Sequence, residues 1–285
     1  MMRHPTSVSS LDHSRENLST RVPRSVSNRM SAPRLGLAAL LLFTALAAPS
    51  TSAQAQLTVD ALEVFVSAPG DDEAVRTVRV RNDGTERIQA EVTTEDWERD
   101  ETGTNRFLPL GSHTNSCRDA IRVFPGTVAL EPGESATLRV GIAAGTSDCW
   151  AVVFLAHRTT TGSAGRQLSY TVRTGVKVYV EPVPAVRDGA IESMQVRDSA
   201  NGVLDVAFRN AGRVQLAVQG TVEVRRADDS VAWSEPVPAF PVLPGARRRL
   251  AMAMPALPPG RYVVLALLDF GGAELIAGQL DYEVR

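Results

Sequence analysis

One lysine occurs among the 285 residues, Lys177, in the run Thr174-Gly175-Val176-Lys177-Val178-Tyr179-Val180-Glu181-Pro182. Every other basic side chain is an arginine or a histidine. An ammonium is a compact cation with three rotatable donors, suited to holding one carboxylate without the planar fork of a guanidinium. Lys177 is therefore either kept for that chemistry or left over on a solvated strand face of an arginine-rich chain. Little else has reactive spacing. Beyond residue 55 there is no Gly-x-Ser-x-Gly elbow, no phosphate-cradling glycine loop and no histidine in a triad-like context, so the residues argue against an enzyme and imply no cofactor. Asp96, Glu98, Asp100 and Glu101 surround Trp97 without the register of a calcium loop and read as a solvated acidic loop. Arg247-Arg248-Arg249 opens a strand pattern, where it is either a local anionic contact or a charge device that keeps an edge strand from pairing with other chains.

Cys117 and Cys149 are the only cysteines. An oxidising compartment allows them to close one bridge, and two free buried thiols are the alternative. No metal centre is expected, because the histidines after residue 55 are His113 and His157 and no ligand pair has zinc-like spacing. The N-terminus bears on the compartment. Leu35 to Ala48 is an apolar Leu/Ala run, preceded by Arg29 and Arg34 and followed by Ala53-Gln54-Ala55, the pattern of a signal peptide cleaved near Ala55. The polar stretch before Met30 lacks periodicity, which makes Met30 a candidate initiator and residues 1–55 an N-terminal extension plus signal peptide. No later apolar run reaches the roughly 18 residues of a membrane helix, and no cysteine follows the cleavage site for lipidation. Cleavage after Ala55 leaves 24 basic and 30 acidic side chains, a formal charge of −6 that argues against nucleic acid as a partner.

The elements that position these residues are short alternating or β-branched runs divided by Gly, Pro, Asn and Asp, among them Val75 to Arg81, Arg87 to Val92, Ala136 to Ile142, Ala151 to Ala156, Leu168 to Val180, Leu204 to Phe208 and Tyr262 to Leu268. Such spacing predicts an all-β chain of antiparallel sandwiches, with Trp150, Phe154, Tyr262 and Leu268 in the cores. An internal echo sets the number of units. Arg81-Asn82-Asp83-Gly84 returns as Arg209-Asn210-Ala211-Gly212, each expected to turn on a glycine with positive φ, and Leu130-Glu131-Pro132-Gly133 returns as Val242-Leu243-Pro244-Gly245. Two tandem immunoglobulin-like sandwiches are expected, residues 56–182 and 186–285, joined by a proline-stiffened linker at 183–185. The first carries an excursion between Trp97 and Cys117, which a Cys117–Cys149 bridge would tie down.

Three segments of the first unit resemble the PapD-like periplasmic chaperones of pilus and fimbrial assembly: Ile121 to Pro125 with Val128 to Val140, Asp148 to Phe154, and Val172 to Pro182. The first is similar to that family's L-x-P-G and L-R-[VI] segment, and the third to its closing strand, where a lysine precedes an aromatic and a proline. The resemblance implies a periplasmic location in a Gram-negative-type bacterium and protein partners: subunits of a pilus or other surface structure, and an outer-membrane usher. It implies that Lys177 anchors a subunit's terminal carboxylate and that Leu168, Tyr170 and Val172 are lent to the subunit by β-augmentation. The alternative for those three is that they cover the chain's own core. One position departs from the pattern. In Ala61-Leu62-Glu63-Val64-Phe65-Val66, Glu63 stands where the family has an arginine, so either another arginine such as Arg187 or Arg209 completes the cleft or termini are not held in the family's manner. A structural or adhesion module of the cell envelope, with the same architecture and no chaperone activity, is the alternative function.

Overall fold

The computed structural model describes residues 57–163, 165–197 and 202–285, so the signal-peptide reading lies outside the described residues. Among these residues no helix is long and apolar enough to cross a membrane. The first sandwich packs sheet β1-β3-β8-β6 on sheet β2-β10-β9-β4-β5, with β7 paired to β4. Its strands are β1 Leu57–Val59, β2 Glu63–Ser67, β3 Ala74–Asn82, β4 Ile88–Arg99, β5 Asn105–Leu108, β6 Ile121–Phe124, β7 Thr127–Leu130, β8 Ser135–Ile142, β9 Cys149–Ser163 and β10 Arg166–Glu181. The second packs β11-β12-β15 on β14-β13-β16-β17. Here the strands are β11 Gly189–Arg197, β12 Val203–Asn210, β13 Leu216–Arg226, β14 Val231–Val242, β15 Arg247–Ala253, β16 Gly260–Asp269 and β17 Ile276–Val284. Both sandwiches lie in one compact unit.

Alternation builds both cores. Val78 and Val80 of β3, Leu138 and Val140 of β8, and Val176, Val178 and Val180 of β10 are buried in the first, each separated from the next by a residue facing the other way. Phe208, Val222, Val264 and Leu268 do the same in the second.

The sequence echo is one structural device used twice. Asn82 is fully buried; its Nδ2 donates to the carbonyls of Glu86 (2.8 Å) and Leu130 (3.1 Å), and its Oδ1 accepts from the Gly84 N–H at 2.9 Å. Asn210 repeats the pattern with Val214 O, Val242 O and Gly212 N–H, each at 2.9 Å. The Gly133 and Gly245 N–H groups then donate to the Asn82 and Asn210 carbonyls. This corrects the expected turn chemistry. Positive φ falls on Gly133 (79°) and Gly245 (73°), while Gly84 and Gly212 are closed by the asparagine side chain two residues earlier. Gly212 is needed for a different reason, since a Cβ there would lie 2.4 Å from the Val186 carbonyl.

Candidate functional site

β10 is the strand that organises the site. It pairs with β9 from Arg166↔Ser163 to Val180↔Cys149, but with β2 only from Lys177↔Glu63 to Glu181↔Ser67. Upstream of Lys177 its second edge has no partner strand among the described residues. The Lys177 N–H donates to Leu62 O at 2.9 Å. Because amides alternate sides along a strand, the N–H groups of Gln167, Ser169, Thr171, Arg173 and Gly175 leave on that open side.

The side chains of β10 sort by face. Val176, Val178 and Val180 belong to the core, and the same face runs outward as Val172, half-buried, then Tyr170 and Leu168, 44% and 64% exposed. The three lie outside the core cluster. Other edges are blunted: β14 carries Pro236, Pro238 and Pro241, and β15 carries Arg247, Arg248 and Arg249. The β10 edge has no proline.

The opposite face of this sheet looks toward the second sandwich. Trp97, Val152, Phe154 and Tyr179 form a cluster with Leu243, against which Trp150 and Ala246 pack. This corrects the placement of Trp150 and Phe154: period two marks two faces of β9, and the sandwich core takes Ala151, Val153 and Leu155. Phe154 lies across Gly175, its cross-strand partner, where a Cβ would come within 2.9 Å of the ring. The Arg173 guanidinium sits 3.7 Å from the centre of the Phe154 ring and pairs with Glu95.

Lys177 stands on this inner face, 19% exposed, with its Nζ 3.6 Å from Glu63 Oε1 and 4.7 Å from the centre of the Trp97 ring. The Tyr179 hydroxyl donates to the same Glu63 oxygen at 3.2 Å, while its ring stacks on Phe65 at 4.9 Å and meets Trp97 edge-on at 6.0 Å. Burial pushes the Tyr179 pKa upward, and the Glu63 charge adds to it. Burial also lowers the Lys177 pKa, helped by repulsion from Arg99 and opposed by Glu63. Glu63 is thus an internal counter-ion to the lysine.

The two arginines offered as alternatives for the cleft have acidic partners of their own. Arg209 pairs with Glu192 at 3.6 Å, and Arg187 acts on Glu181. The cation beside Lys177 is Arg99, whose guanidinium carbon lies 5.4 Å from the centre of the same Trp97 ring. Its signal was the Trp97–Arg99 spacing, which puts both on one face of β4. Asp96, of opposite parity, is fully buried and gathers the excursion by accepting from Gly111 N–H (2.8 Å), Ser112 N–H (2.6 Å) and Ser116 Oγ (2.7 Å), so it is an organising carboxylate and not part of a solvated loop.

The excursion also ties the sandwiches together. The Glu101 carbonyl accepts from the Arg249 N–H and from Arg248 Nη1, both at 2.8 Å, and Asp148 pairs with Arg213 at 2.5 Å. The disulfide Cys117–Cys149 anchors its far end at the start of β9. Next to it, Trp150 donates through Nε1 to Trp97 O at 3.0 Å and stacks on His113 at 5.2 Å. No cluster of His, Cys, Asp and Glu that could hold a metal occurs among the described residues.

No protein-family profile matches the chain, and no curated protein matches it. Solved structures do. The class 5 fimbriae chaperone CfaA is 14% identical, with a TM-score of 0.45 over 78% of this chain and 98% of that one. The CsuC–CsuE chaperone–tip adhesion subunit pre-assembly complex from archaic chaperone-usher Csu pili of Acinetobacter baumannii matches at 12% identity and a TM-score of 0.44, covering 78% and 98%. The SafA pilin in complex with the SafB chaperone of Salmonella enterica matches at 15% identity and a TM-score of 0.39, covering 80% and 96%.

Proposed function

We propose that this chain is an exported, periplasmic chaperone-like protein that binds β-rich subunits of a pilus or other surface structure by lending them β10. One observation carries this: a strand edge without a partner among the described residues from Arg166 to Val176, with an apolar row at Leu168, Tyr170 and Val172 continuing the chain's own core face into solvent. An open, proline-free, partly apolar edge presents unpaired backbone groups that form a ready template for pairing with another chain. Backbone bonds along the edge supply affinity, and alternate side chains entering a partner's open core supply selectivity. Full burial of such a side chain is worth roughly 1.5–3 kcal/mol, so the row can decide whether a complex forms.

An incoming strand would lie in line with β2 and end where Leu62 and Glu63 begin, beside Lys177. The ammonium there already has Glu63 as its counter-ion, so the row and the edge, more than the lysine, hold the partner. Delivery to an outer-membrane usher belongs to the same proposal. Co-expression with the surface subunits encoded beside it is expected to yield a 1:1 complex that is lost on Leu168→Asp, Tyr170→Asp and Val172→Asp together. These positions lie outside the core cluster, so the triple variant should still fold; a complex that survives all three substitutions would sink the proposal.

A further inference from the structure

Strand edges are where a β-protein can pair with other chains, and most of those in this one are guarded. β1, β5 and β6 run for only three or four residues, β14 carries prolines, β15 opens on three arginines, and β11 has a bulge between Ile191 and Ser193. β17, like the open stretch of β10, has none of these devices. It is nine residues long, Ile276–Val284, without proline or a basic side chain, and its register with β16 is unbroken from Leu268↔Ile276 to Gly260↔Val284. It ends its sheet, and no strand among the described residues pairs with its second edge.

The margin of the second core along this edge is unfinished. Tyr262, Val264, Ala266 and Leu268 of the neighbouring β16 are buried, whereas Ile276, Leu280, Tyr282 and Val284 of β17 pack against the same core and are only half-buried. Ile191, Met194 and Val196 of β11, in the facing sheet, are half-buried as well. β11 meets β17 across the sandwich and not edge to edge: a Cβ on Gly278 would lie 2.4 Å from Met194 Sδ and 3.1 Å from Ile191 Cδ1. A strand added beside β17 would cover that apolar margin and take up the unpaired backbone groups of the edge.

The residues of β17 complement themselves. Leu280 is the midpoint of the strand, so an antiparallel pair of β17 strands centred there overlaps along its whole length. On the core face this register sets Leu280 against Leu280, Tyr282 against Gly278 and Val284 against Ile276; on the outer face it sets Asp281 against Gln279 and Glu283 against Ala277. Apolar meets apolar, the tyrosine ring falls beside a residue with no side chain, and no like charges stand opposite each other. Moving the axis to Asp281 would set that carboxylate against its own copy, and a shift by one residue would turn the two core faces to opposite sides. We propose that β17 is a self-association edge, through which a second copy of this chain pairs antiparallel about a two-fold axis at Leu280 and continues the sheet β14-β13-β16-β17 across both copies. Each copy gives and receives the same contacts, so the pairing closes at a dimer. The surface lies in the second sandwich, apart from the open edge of β10, and stands or falls independently of strand donation.

Analytical ultracentrifugation of the purified chain over a concentration series should show a reversible monomer–dimer equilibrium. Gln279 is exposed and in this register meets Asp281 of the second copy twice per dimer. Gln279→Asp should therefore weaken the dimer about fivefold or more, and Gln279→Lys should tighten it by about as much, with near-UV circular dichroism unchanged in both. Leu280→Cys adds a single free thiol to a chain whose two cysteines are bridged. At the axis two such thiols come within disulfide reach, so mild oxidation should give a covalent dimer far faster than in Val231→Cys, on the exposed β14 edge. Were Leu280→Cys unstable, the two Gln279 variants carry the test. A chain that stays monomeric, a dimer equally tight in Gln279→Asp and Gln279→Lys, or a folded Leu280→Cys that cross-links no faster than Val231→Cys would each overturn the proposal. So would a dimer lost on Leu168→Asp, Tyr170→Asp and Val172→Asp together, which would assign self-pairing to β10.

Discussion

Replacing Glu63 by Gln removes the charge opposite Lys177 and keeps the shape. At 3.6 Å the Coulomb attraction between the two charges is about 1 kcal/mol in a water-like medium and about 5 kcal/mol at an effective dielectric of 20. The glutamate side chain is 36% exposed and the lysine 19%, which places the pair nearer the screened limit, at about 1–2 kcal/mol. Its loss should lower the Lys177 pKa further, because burial and the Arg99 charge already depress it and Glu63 opposes them. The assay is unusually clean. Lys177 is the chain's only lysine, so reductive methylation with ¹³C-formaldehyde labels one side chain and the N-terminal amine, and the pKa is read by NMR titration of parent and Glu63→Gln. A Lys177 pKa that is unchanged, or that rises, in Glu63→Gln would refute the description of Glu63 as its counter-ion.

Three further outcomes follow from the core and its bonds. Asn82→Ala and Asn210→Ala each remove the three hydrogen bonds of a buried side chain and strand the Leu130 or Val242 carbonyl, so each should destabilise its sandwich by roughly 2–4 kcal/mol in urea denaturation, with loss below about 1 kcal/mol contradicting the role of the echo. His157 is 3% exposed beside Ala90 and Val172, and burial lowers its pKa below 6.5. The unfolded chain therefore takes up this proton first: the stability contribution is complete above about pH 6.5 and is lost as pH falls toward the lowered folded value, so the melting temperature should drop more between about pH 7.5 and pH 5 in the parent than in His157→Leu. Equal drops would dismiss the effect. Reducing Cys117–Cys149, which closes a loop with a sequence separation of 32, should cost about 3–4 kcal/mol by loop entropy, measured by denaturation with and without dithiothreitol, and no shift in midpoint would show that the excursion holds without it.

Much of the fold is legible in the residues because alternation and turn residues are local signals. The repeat of Asn82 and Asn210 ahead of Pro132-Gly133 and Pro244-Gly245 marks two equivalent sandwiches, although only the structure shows that the asparagine side chain joins the two signals through space. β14 is hidden by Pro236, Pro238 and Pro241, which argue against a strand anywhere but at an edge, and an edge is where it lies. The site is less legible. Alternation places Leu168, Tyr170 and Val172 on one face but cannot say that β2 stops at Lys177 and leaves that edge open. It places Trp150 and Phe154 on one face of β9 without telling which face meets the second sandwich. Arg99 escapes notice for the same reason: its meeting with Lys177 at Trp97 depends on β4, β9 and β10 lying side by side, a fact of long-range pairing.

The lending of β10 is tested most directly by amide hydrogen exchange on the chain alone and in complex with a co-expressed surface subunit. In the free chain the amides of Gln167, Ser169, Thr171, Arg173 and Gly175, which leave on the open side, should exchange far faster than those of their even-numbered neighbours bonded to β9. In the complex those same amides should become protected as a partner strand pairs with them. Protection in the free chain, or a complex that forms while these amides remain fast, would contradict donation of this strand.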